Sequence, residues 1–199
     1  MLVKICGLMK KEDVAAAVES GADYIGFVFA ESKRKVTSHE AALLAADIPS
    51  SVKKVGVFVN PTLDEIFEAV AAAELDFIQL HGDETPEFCD TMPKPVIKAF
   101  SISQQADVEE MNRYNVAHIL ADAPGADYRG GGGHTFDWSL IKDASQNIIL
   151  AGGLTPENVS VAIAETAPIG VDVSSGVETD GQKDHQKINA FIKQAKGSC

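Results

Sequence analysis

Leu2-Val3-Lys4-Ile5-Cys6-Gly7 is a short apolar run that begins almost at the first residue, stops at a glycine and carries a thiol to its C-terminal end. Similar runs recur along the chain at 24–29, 55–59, 77–81, 96–100, 118–122, 148–151 and 170–174. They are rich in Val, Ile and Phe and mostly lack alternation, the pattern of strands buried on both faces. Between them lie amphipathic stretches at 12–20, 38–46, 63–73, 87–91, 157–164 and 184–196. Ser38 is the expected N-cap of the second stretch. Pro86 and Pro156 open the fourth and fifth from the first helical turn. The segment 104–114 fits helix or loop, and 137–142 is at best two turns.

Strict alternation of strand and helix implies a parallel sheet. Eight strand-like runs over 199 residues suggest an α/β fold with eight parallel strands closed into a single (β/α)8 barrel, residues 1–199 forming one domain. The chain is short for that fold, which usually takes ~250 residues. A doubly wound open sheet is the alternative. Against it, the first strand-to-helix turn, Gly7-Leu8-Met9-Lys10, has no G-x-G-x-x-G pattern.

Apolar residues make up 45% and charged residues 23%, ordinary for a globular protein. The net charge of -12 argues against nucleic acid or anionic membrane as partner and means that an anionic ligand needs a local trap. Cys6, Cys89 and Cys199 have no metal-ligand spacing, and reduced thiols in the cytoplasm are their simplest account. The expected partner is a small molecule, met by a monomer or homodimer.

In a barrel the C-terminal strand ends share one rim. Those ends supply Cys6, Phe29, Asn60, His81, Ser101, Asp122, Gly152-Gly153 and Ser174-Ser175-Gly176. The two glycine turns fall on neighbouring strands, where backbone N–H groups and a helix start suit a phosphate. Gly130-Gly131-Gly132-Gly133 reads either as a surface loop or as a mobile loop that closes over substrate. Cys6 is either a small buried hydrophobe or a base, and as a base it needs its pKa lowered by positive potential. Alternation puts Lys4 on the face of Cys6. If that face is the barrel interior, Lys4 demands a partner, for which Asp172 on the neighbouring strand is the candidate. Asp122 is an acid facing Cys6 or a loop carboxylate. Arg34 is a carboxylate clamp or a solvated basic turn. His81 is a substrate contact or a satisfied rim histidine.

Several segments together resemble the phosphoribosylanthranilate isomerase family. They are Lys4-Ile5-Cys6-Gly7, Gly26-Phe27-Val28-Phe29, Ser32-x-Arg34-x-Val36, Gln79-Leu80-His81-Gly82, the glycine run into Phe136-Asp137-Trp138, Leu150-Ala151-Gly152-Gly153-Leu154 and Gly170-Val171-Asp172-Val173-Ser174-Ser175-Gly176-Val177-Glu178. The resemblance implies a (β/α)8 barrel and a cofactor-free Amadori rearrangement of N-(5'-phosphoribosyl)anthranilate in tryptophan biosynthesis. It implies Asp122 as acid, Cys6 as base and Arg34 on the anthranilate carboxylate. The Gly152-Gly153 and Ser174-Ser175-Gly176 turns would hold the phosphate. From the residues themselves, His81 and Asp172 are counted with the substrate-binding set. Departures lie in loops. Lys33 stands where the family commonly has Pro, Gly132 where a polar residue is frequent, and Thr179-Asp180-Gly181-Gln182 where Pro-Gly often precedes the last helix. A related phosphate-binding lyase or epimerase, and a non-catalytic sugar-phosphate binder, are the competing readings.

Overall fold

The computed structural model describes residues 1–124, 135–142, 144 and 147–197. Eight parallel strands close into a barrel in chain order: β1 (Leu2–Cys6), β2 (Tyr24–Val28), β3 (Lys53–Phe58), β4 (Phe77–Leu80), β5 (Val96–Ser101), β6 (His118–Asp122), β7 (Ile148–Leu150) and β8 (Gly170–Val173). The ring shuts where β1 pairs with β8, in a register that sets Lys4 beside Asp172. On its other side β1 pairs with β2 and sets Cys6 beside Gly26. The open-sheet alternative therefore falls, and the eight strand-like runs are the eight strands to within two residues at each end.

Strand alternation divides the apolar residues into two layers. Tyr24, Val55, Ile97, Ala99, Leu120, Ile149 and Ala151 fill the lower barrel interior. Val3, Ile5, Ile25, Ile78, Leu80 and Val171 point outward and meet the helices in the larger core. Those helices are α1 (Lys11–Glu19), α2 (Ser38–Ala45), α3 (Leu63–Ala73), α4 (Pro86–Asp90), α5 (Gln105–Met111), α6 (Val159–Thr166) and α7 (His185–Gly197). Segment 104–114 is thus mainly helix, and the stretch around 137–142 holds only a 3₁₀ turn, Trp138–Ile141. Among the described residues, no helix is long and apolar enough to cross a membrane.

Most helix starts fall within one residue of expectation, and two N-termini are built differently. The cap of α2 is Thr37, not Ser38, because Thr37 and Glu40 form a reciprocal capping box. Helix α6 starts at Val159, two residues late, because Asn158 folds its side chain back: its carbonyl accepts from Thr155 N–H at 2.8 Å and its amide donates to Gly153 O at 2.9 Å. After β8 comes a feature with no counterpart in the strand pattern, a two-stranded hairpin of β9 (Glu178–Thr179) and β10 (Gln182–Lys183).

Candidate active site

The upper barrel interior is polar where the lower part is apolar. Lys4, Cys6, Gln79, His81, Asp122 and Asp172 are all buried there, at or below the C-terminal rim. Lys4 is 1% exposed and its ammonium lies 3.0 Å from Asp172 Oδ1. Burial works against charge on Lys4, but the Asp172 carboxylate and the Cys6 sulfur above it outweigh that, and its pKa ends above the ordinary lysine value. Cys6 departs from the sequence-based expectation. Its pKa is raised, because burial dominates; the opposing pull of Lys4, and of Lys183 more weakly, does not overcome it.

Asp122, at the end of β6, is separated from β1 by two strands on one side and four on the other. Its Oδ1 accepts from Ala123 N–H at 2.8 Å, and its Oδ2 lies 3.4 Å from His81 Nε2. Gln79 lies 3.2 Å from His81 Nδ1. The turn that carries His81 is held from outside the barrel. Lys98, 2% exposed on β5, donates to Gly82 O at 2.8 Å and to Glu84 at 3.1 Å, while Glu84 accepts from the backbone N–H groups of Asn60 and Gly82. A buried lysine satisfied in this way is a structural rivet.

The glycine turns lie side by side, as neighbouring strands require. Gly152 and Gly153 both have positive φ, at 82° and 63°, which glycine adopts without strain. Gly176 passes so close to the turn after β7 that a Cβ there would sit 1.8 Å from Leu154 O. Ser174 donates to Cys6 O at 3.1 Å, joining the second turn to the end of β1. Ser175 opens the short 3₁₀ turn that contains Gly176.

Arg34 is not a free guanidinium in solvent. It is 9% exposed, with Nε donating to Glu178 Oε1 at 2.7 Å and Nη2 to Glu178 Oε2 at 3.0 Å. Lys183 also reaches Glu178, at 3.0 Å. Burial tends to raise the Glu178 carboxyl, but Arg34 and Lys183 prevail and take it from 4.5 down to about 2. Sequence reasoning missed Glu178 and Lys183 as a pair. The signal was Asp180-Gly181, a strong two-residue hairpin turn that places the residues flanking it opposite one another. The glycine run at 130–133 lies outside the described residues.

The comparisons agree with this geometry. Residues 3–194 match the family model described as N-(5'phosphoribosyl)anthranilate (PRA) isomerase. The N-(5'-phosphoribosyl)anthranilate isomerase of Listeria innocua is 53% identical, covering 99% of this chain and 98% of its own length. The phosphoribosyl anthranilate isomerase of Thermotoga maritima superposes with a TM-score of 0.90 at 43% identity, covering 99% of this chain and 100% of that one. A phosphoribosyl anthranilate isomerase in complex with reduced 1-(o-carboxyphenylamino)-1-deoxyribulose 5-phosphate superposes with a TM-score of 0.87 at 41% identity, with the same coverage. With the barrel, the polar rim and full-length similarity in agreement, the chain belongs to the N-(5'-phosphoribosyl)anthranilate isomerase family, isomerases of tryptophan biosynthesis.

Proposed function

We propose that the barrel performs the family's Amadori rearrangement with Asp122 as acid and Cys6 as base. The substrate is N-(5'-phosphoribosyl)anthranilate and the product 1-(2-carboxyphenylamino)-1-deoxyribulose 5-phosphate. Asp122 protonates the ribose ring oxygen, the C1–O bond breaks and the anilino nitrogen lone pair forms the C1=N bond. The Cys6 thiolate then takes the C2 proton, giving an enolamine. Protonation at C1 and loss of the O2 proton yield the ketone. Hydrogen moves within one substrate, so the scheme calls for no cofactor.

The observation that carries this reading is the burial of Cys6 and Asp122, 7% and 4% exposed, at the C-terminal ends of two non-adjacent strands of the same ring. Buried polar groups facing a shared interior can act on a substrate held between them. Burial raises the thiol pKa, so the thiolate that this scheme uses depends on Lys4 and Lys183, the cations whose pull on Cys6 opposes burial. Gly152, Gly153, Ser174, Ser175 and Gly176 would hold the phosphate, Arg34 the carboxylate, and His81 would steady Asp122. Asp172 would act from beneath by fixing Lys4. The whole chain is read as one barrel domain, acting in the cytoplasm as a monomer or homodimer on this small molecule.

The test follows the loss of substrate fluorescence in the wild type, Cys6→Ala and Asp122→Asn. Each variant should lose ~10²–10⁴-fold in kcat with its melting temperature kept. Retention of more than about a tenth of wild-type kcat by either would remove that residue from the scheme.

A further inference from the structure

We propose that Glu178 is a positioning residue that decides which edge of the Arg34 guanidinium meets the substrate carboxylate; this rests on the reading of Arg34 given above. A guanidinium has five N–H donors in a rigid plane. Glu178 takes the Nε donor and one Nη2 donor, so the side-on edge is occupied. The second Nη2 donor and the Nη1 donor beside it form the remaining end-on edge, while the other Nη1 donor faces the Cδ side. A second carboxylate can then bind bidentately only end-on.

Glu178 is itself held in place. Its backbone pairs with Lys183 across the hairpin, whose turn residues Asp180 and Gly181 have φ of 51° and 75°. Its carbonyl accepts from Lys187 Nζ at 2.8 Å. A long, flexible arginine is thereby tied to a backbone-fixed carboxylate rather than left to choose its own rotamer, which lowers the ordering cost of binding.

Charge bookkeeping explains why an acidic residue is tolerated beside an anion site. Arg34, Lys183 and Lys33 all lie within 3.6 Å of the Glu178 carboxylate, so three cations surround one anion. The cluster keeps a net positive charge in a chain of net charge -12. Lys183 also donates to Ser174 O at 2.7 Å and contacts Ser174 Oγ at 3.3 Å. The hairpin therefore ties the arginine to the turn after β8, where the phosphate is placed.

The test compares binding of two probes. One is reduced 1-(2-carboxyphenylamino)-1-deoxyribulose 5-phosphate; the other is its phenylamino counterpart without the carboxylate. The wild type should prefer the first by ~10–100-fold, the range of one or two charge-assisted hydrogen bonds. Arg34→Met should abolish the preference, and Glu178→Gln should cut it by about tenfold while leaving affinity for the second probe within about twofold. A preference that survives Arg34→Met overturns the carboxylate reading. A preference lost in Arg34→Met but intact in Glu178→Gln overturns only the positioning role. Should Glu178→Gln fail to fold, Glu178→Asp is read in the same way, since it keeps the charge but is one methylene too short to span both nitrogens.

Discussion

Replacing Lys4 by Met separates the stability of the barrel floor beneath Cys6 from its chemistry. The Lys4 and Asp172 side chains are 1% and 10% exposed, and their charges sit 3.0 Å apart. At an effective dielectric of ~20 that separation corresponds to about 5 kcal/mol of attraction. Removing one partner of a buried pair typically costs ~3–5 kcal/mol, because the survivor is left charged without compensation. Lys4 has its pKa raised in the fold, so its contribution is complete at neutral pH and disappears only as pH rises beyond the lysine range, above 10.5. Measured at pH 7, Lys4→Met should therefore lose the whole interaction. For a chain of this size ~2–4 °C of melting temperature accompanies each kcal/mol, so the variant should melt ~6–20 °C lower. The double variant Lys4→Met/Asp172→Leu should regain most of the loss, since apolar residues of similar volume replace buried ion pairs at little cost. The assay is thermal and urea unfolding of all three proteins. A fall of less than about 2 °C for Lys4→Met, or a double variant no better than the single, would refute the reasoning.

The remaining predictions concern space and acid. A Cβ on Gly26 would lie 2.8 Å from Cys6 Sγ and 3.1 Å from Cys6 Cα, so Gly26→Ala must displace the thiol. It should cost ~1–3 kcal/mol of stability, and kcat should fall by at least about tenfold while affinity for the reduced product analogue holds; an unchanged kcat would contradict the role of Cys6. Glu178 has its pKa depressed from 4.5 to about 2, so its contribution to stability is present above 4.5 and is lost as pH falls towards 2. Glu178→Gln should accordingly show a flatter urea midpoint than the wild type between pH 5 and pH 2, and parallel curves would sink this account.

The strands were legible because their environment is uniform. A strand buried on both faces is mostly apolar wherever it sits in the ring, and 55–59 and 148–151 therefore read directly from composition. The Lys4–Asp172 contact was legible for a related reason. Once the ring closes, β8 must lie beside β1, and alternation puts both residues on the interior face. Helix starts were less so. The Thr37-x-x-Glu40 capping pattern was present in the sequence, but the Asn158 side chain that delays α6 acts through a loop geometry that no periodicity reports.

Loop partnerships were the least legible. Arg34 and Glu178 are 144 residues apart, and nothing in the local sequence of either names the other. What joins them is the curvature of the ring, which brings the turn after β2 next to the hairpin after β8 across the end of β1. The thiol illustrates the same limit from the side of energetics. Sequence reasoning placed a lysine beneath Cys6 and held that the thiol, if it is a base, needs positive potential to lower its pKa. The fold supplies that charge but supplies burial too, and Asp172 cancels part of the field of Lys4. The sign of the shift depends on how these opposing effects balance at one sulfur, a quantity set by atomic distances rather than residue type.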